Sequence, residues 1–137
     1  MAGRSPIKAA PALYASFLPD IIDIAKECGY AIGLHGSMAH DLDLIAVPWH
    51  HNAFAGSELV RRIADHIGGF IDVKGSTVKA PSPEQKVHGR VGWCIYFNRR
   101  FIGPYIDISV TPRIDYKTKT VIEDDAAAAM IKEDLKG

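Results

Sequence analysis

Two aspartates alternate in an otherwise apolar run, Asp41-Leu42-Asp43-Leu44-Ile45-Ala46-Val47. Acidic residues are poorly suited to strands. On an extended chain Asp41, Asp43 and Ile45 project to one side, and Leu42, Leu44 and Ala46 to the other. The two anions then lie roughly 6–7 Å apart at their α-carbons, and they repel unless something positive sits between them. A hard divalent ion, Mg2+ or Mn2+, removes the conflict, because it prefers carboxylate oxygens and keeps waters or phosphate oxygens as its other ligands. Taken alone, an Asp-x-Asp triplet equally describes the wet face of an exposed strand.

The surroundings add to the pair. Gly36-Ser37 lies just upstream at the end of an apolar segment, where a glycine and a hydroxyl let backbone approach a phosphate. A third strand-borne acid, Asp107, sits between Ile106 and Ile108 and shares its face with Tyr105 and Ser109. Asp41 and Asp43 are thus candidate metal ligands, Asp107 a third acid of the same candidate site, and Gly36 and Ser37 the candidate phosphate grip. His35, His40, His50 and His51 form a rival set of ligands flanking the same place, without HExxH or paired Cys/His spacing. Arg61, Arg62, Lys74, Lys79 and Arg90 are cations within reach of a phosphate or simple surface charges. Trp93, Tyr96 and Phe97 suit a base-stacking platform, but their apolar run favours a place in the core.

The elements that must position these groups follow from periodicity. Leu18, Ile21, Ile22, Ala25 and Cys28 predict an amphipathic helix, with Pro19 in its first turn and Gly29 just past its end. Residues 30–35 predict a short buried strand, and residues 41–47 a second strand stopped by Pro48. Ser57 is placed to cap a helix over residues 58–67, stopped by Gly68-Gly69. Residues 70–73 suit a short strand and residues 80–85, with two prolines, a loop. Residues 91–97 and 105–110, joined by a turn-rich stretch, predict a β-hairpin. The acidic start and basic end of residues 123–136 suit a helix. These elements predict an α/β (α+β) fold with a small mixed, mainly antiparallel sheet of about four to five strands and helices on one face. Residues 1–11 are expected to form a loose arm and residues 12–137 one domain.

Composition narrows the partners. Hydrophobic residues at 47% mark a globular chain, and 16 basic against 16 acidic residues argue against a broad phosphate-binding surface while leaving room for a local basic pocket. Cys28 and Cys94 form no CxxC motif and are expected to be buried thiols. With no signal-like apolar stretch and no run approaching the ~18 apolar residues of a membrane span, the expected location is the cytoplasm.

The segment LHGSMAHDLDLIAV resembles the polymerase-β-like nucleotidyltransferase superfamily: an apolar strand ending in Gly-Ser, Asp-x-Asp on the next strand and a third carboxylate on a later one. The resemblance covers roughly residues 18–110. It implies that Gly36 and Ser37 hold a nucleoside triphosphate, that Asp41, Asp43 and Asp107 bind two divalent ions, and that an acceptor hydroxyl attacks the α-phosphorus with loss of pyrophosphate. Only Met38, Ala39 and His40 separate Gly36-Ser37 from Asp41, where the family has a longer and often helical segment, so the grip is expected to be reshaped or lost. The chain also has little after Val110 to build the helical domain many members use. That points to a partner chain or homo-oligomer, a very small acceptor, or inactivity. The acceptor, protein or RNA, is open. The rival readings are a non-catalytic, antitoxin-like interaction module and a metal-dependent hydrolase using the nearby histidines.

Overall fold

The computed structural model describes residues 11–36, 38, 40–71 and 83–136. The arm expected over residues 1–11 lies outside these except for Pro11, which opens the first helix, α1 (Pro11–Cys28). This helix starts seven residues before the expected Leu18. Tyr14, Ile21, Ala25 and Cys28 are buried on one stripe, and Phe17 stacks on Phe97 at 5.7 Å, so packing extends the helix through Pro19. An interior proline leaves the carbonyl four residues earlier, here that of Ala15, without its helical donor. Ala15 and Pro19 are both exposed, where water can replace the lost bond.

Strands β1 (Tyr30–His35) and β2 (Leu42–Pro48) form an antiparallel pair and lead into helix α2 (Gly56–Ile67). Then come β3 (Phe70–Ile71), β4 (Glu84–Gln85), a 3-10 turn at Val87–Gly89, β5 (Val91–Tyr96) and β6 (Tyr105–Val110). A small hairpin, β7 (Arg113–Asp115) with β8 (Thr120–Ile122), precedes helix α3 (Asp125–Lys136). The main sheet runs β1-β2-β6-β5-β3, with β4 also paired to β5. Only β2 and β6 are parallel; β5 and β6 form the expected antiparallel hairpin. The mixed, mainly antiparallel α+β fold therefore matches expectation, with six strands in its main sheet.

Four details differ from the expectation. The β1 strand is an edge, with Ala31 and Gly33 to His35 exposed, because only β2 pairs with it. Glu84-Gln85, expected in a loop, bridges to β5, and the β7-β8 hairpin was not anticipated. Ser57 does not cap α2. The carboxylate of Asp124 accepts hydrogen bonds from the Ser57 amide (2.7 Å) and hydroxyl (2.8 Å), and also from the Ala127 amide in the first turn of α3 (3.1 Å). One aspartate serves two helix starts.

The core lies on one side of the sheet. Leu42, Leu44 and Ala46 of β2, Ile106, Ile108 and Val110 of β6, and Trp93 and Ile95 of β5 pack against Tyr14, Ile21 and Ala25 of α1, Leu59, Val60 and Ile63 of α2, and Ala127 of α3. Trp93 and the partly buried Phe97 thus belong to the core rather than to a stacking platform. Strand alternation turns Asp43, Asp107 and Cys94 to the opposite side.

Candidate metal centre on the open face of the sheet

Three neighbouring strands set the site. In the sheet register His35 faces Asp43, Asp43 faces Asp107, and Asp107 faces Cys94, so one row of side chains crosses β1, β2, β6 and β5 on the face opposite the core. Asp41 stands one residue before β2, two residues from Asp43. Oxygens of Asp41, Asp43 and Asp107 all lie within 4.8 Å of one another, and each side chain is half-buried. Oxygens bound to Mg2+ sit about 2.1 Å from the ion, so adjacent ligands are about 3 Å apart and opposed ones about 4.2 Å. Small side-chain rotations would close the cluster around such an ion.

Burial and mutual repulsion both act on the acids. Burial pushes the Asp43 carboxyl up to about 6, helped by its hydrogen bond with Asp41 and by the charges of Asp41 and Asp107, while His35 opposes the rise. Burial likewise raises Asp107; Lys86 is the strongest charge opposing this and Asp41 the strongest adding to it. The negative potential extends to phenols: Tyr14 is pushed up to about 12 and Tyr105 is also raised, in each case by burial first and then by Asp41.

The loop carrying Asp41 is tied to the first helix. The Tyr14 hydroxyl donates to the His40 carbonyl at 2.6 Å. On its other side, Gly36 has φ +80°, and a Cβ there would lie 2.8 Å from Asp43 Oδ2. Only glycine allows this backbone to pass so close to the carboxylate. Ser37, Lys74 and Lys79 lie outside the described residues.

The other candidates disperse. His50 and His51 stack on each other at 4.6 Å beyond the far end of β2, so they do not flank the acids as expected. Arg61 and Arg62 are engaged by Glu58 along α2, on the covered side. Arg90 does reach the open face, donating to the Ser109 hydroxyl at 3.0 Å. Tyr96 is buried against Tyr105 and Phe101. Cys28 and Cys94 are buried thiols outside any disulfide, as expected.

Two residues near the acids were not singled out from the sequence, Tyr14 and Lys86. The heptad step from Tyr14 to Ile21 is a signal for the first. For Lys86 the signal is Gly92, a glycine inside a strand, which often marks a close approach from elsewhere. Comparison with known proteins finds no matching family profile, no matching curated protein and no matching solved structure.

Proposed function

We propose that this protein is a metal-dependent nucleotidyltransferase that binds Mg2+, or Mn2+, and a nucleoside triphosphate through Asp41, Asp43, Asp107, Gly36 and Ser37. The observation that supports this reading most is the convergence of three carboxylates from two separate stretches of chain on one face of the sheet, within 4.8 Å. Bound divalent ions would neutralise the acids and stabilise the attacking and leaving oxygens of an in-line displacement. The acceptor oxygen forms its bond to the α-phosphorus as the bond to pyrophosphate breaks. Asp107, on the β6 side of the cluster, is placed to help activate the acceptor hydroxyl. Gly36 brings backbone to the β1 side of the acids, so the triphosphate lies there and the acceptor toward β6 and β5. Little beyond positioning and charge complementarity is required of the protein.

Calorimetric titration of Mg2+ with ATP or CTP into the wild type and Asp43→Asn tests the site: binding by the wild type alone supports it, and equal binding by both removes it. The second reading is a non-catalytic module that retains the metal site. Its supporting observation is the three-residue link between Ser37 and Asp41, in which Met38 adopts φ +60°. Pyrophosphate release from labelled triphosphate with Mg2+ separates the two, since the module binds without releasing it.

A further inference from the structure

The turn between β4 and β5, Lys86-Val87-His88-Gly89-Arg90, is firmly built although it is exposed. The Lys86 amide donates to the Arg90 carbonyl at 2.8 Å, and the Gln85 side chain donates to the carbonyls of both Lys86 and Arg90. His88, a non-glycine residue, is held at φ +61°. This conformation is costly for such a residue. Its effect is to direct two cations onto the open face. Lys86 crosses directly over Gly92, where a Cβ would lie 2.3 Å from the lysine Cε, and Arg90 reaches Ser109. Gly92 and Ser109 are cross-strand partners, so both cations meet the same row of the sheet. That row is the neighbour of the one holding Asp43 and Asp107, roughly 7 Å away along the strands.

We propose that Lys86 and Arg90 form a phosphate subsite that holds a phosphate of the acceptor. This rests on the nucleotidyltransferase reading given above. The placement argues for the acceptor rather than the nucleotide. Gly36 lies beside Asp43 at the β1 side of the acids, whereas Lys86 and Arg90 come from the β5 side, beyond Asp107. A phosphate seated there stands about one row from the acids, so a hydroxyl on the same molecule can reach them. Lys86 already faces Asp107 and Arg90 the Ser109 hydroxyl, and a phosphate of the acceptor would be an anion that both cations can share. The phosphate belongs either to an oligoribonucleotide or to a small phosphomonoester.

The test measures three affinities in wild type, Lys86→Gln and Lys86→Arg: a non-hydrolysable ATP analogue with Mg2+, a fluorescent oligoribonucleotide with a free 3′-hydroxyl, and AMP. The proposal expects Lys86→Gln to weaken the oligoribonucleotide or AMP about tenfold, with a salt slope smaller by about 1 where the oligoribonucleotide is the ligand, while the ATP analogue changes less than about twofold. Lys86→Arg restores the loss. Which of the two acceptor probes responds identifies the source of the phosphate. Equal loss for the ATP analogue assigns the cations to the triphosphate and overturns the proposal. Wild type that binds neither acceptor probe, or Lys86→Gln that binds both unchanged, overturns it as well. Failure of the wild type to bind the ATP analogue and Mg2+ removes the nucleotidyltransferase reading instead, and the metal-free acceptor titrations report that separately.

Discussion

Replacing Asp43 by asparagine is expected to stabilise the protein in the absence of metal while abolishing its response to Mg2+. The Asp43 carboxyl is raised from 3.8 to about 6 in the folded chain, chiefly by burial and then by Asp41 and Asp107. The folded state therefore holds a proton that the unfolded state has released between these values, and the stability it contributes is complete below about pH 4 and lost as pH rises through about 6. A shift of this size converts to roughly 3 kcal/mol at most, at 1.36 kcal/mol per unit, and solvent screening at a half-exposed group reduces it to about 1–2 kcal/mol. Asparagine keeps the shape, can still donate to Asp41 and carries no charge. In a chelator at pH 7.5, calorimetry should show Asp43→Asn melting about 3–6 °C above wild type. The gap should narrow as pH falls through about 6 and close below about pH 4, where Asp43 is neutral in the folded and the unfolded chain alike. Millimolar Mg2+ should raise the wild-type melting temperature and leave the variant unchanged. A variant that melts below wild type in chelator at pH 7.5 would refute the claim that unrelieved charge repulsion marks this site.

Gly36→Ala combines a positive φ with a Cβ 2.8 Å from Asp43 Oδ2, so it should cost about 1–2 kcal/mol in denaturant titration and abolish calorimetric Mg2+ binding. Asp124→Ala removes the acceptor for three donors at two helix starts. It should lower stability by about 2–3 kcal/mol, read from the denaturant midpoint, and leave Mg2+ affinity per folded molecule unchanged. Tyr14→Phe deletes the bond to the His40 carbonyl, with an expected loss of about 1 kcal/mol and a severalfold weaker calorimetric affinity for Mg2+.

Local patterns carried most of the strand assignments. The alternation around Asp43 and Asp107 requires each to share a face with its own polar neighbours. The turn residues between Tyr96 and Tyr105 predict the β5-β6 hairpin that the structure shows. What alternation does not contain is which strands are neighbours, and it was the parallel pairing of β2 with β6 that set Asp43 opposite Asp107. The same long-range ordering leaves β1 at the edge despite its apolar letters. Pro19 masked the first half of α1, because a proline favours a helix start locally and only the buried stripe through Tyr14 overrides it. Ser57 was the nearest candidate cap, whereas the group that caps α2 lies 67 residues away in sequence. Short pieces such as β4, β7 and β8 are held by pairing with neighbours and carry too few residues to show a period.

The acids are not mounted alike. Asp43 and Asp107 hang from the same rung of the β2-β6 ladder, with further strands bonded on either side, so their backbones are clamped. Asp41 stands outside the last rung, on a loop whose anchor is the Tyr14 phenol. The cluster is therefore a vice with two fixed jaws and one adjustable jaw, and the screw that sets the third is the opening turn of the N-terminal helix. Whatever grips or releases that turn also alters the bite of the three carboxylates, although it touches none of them.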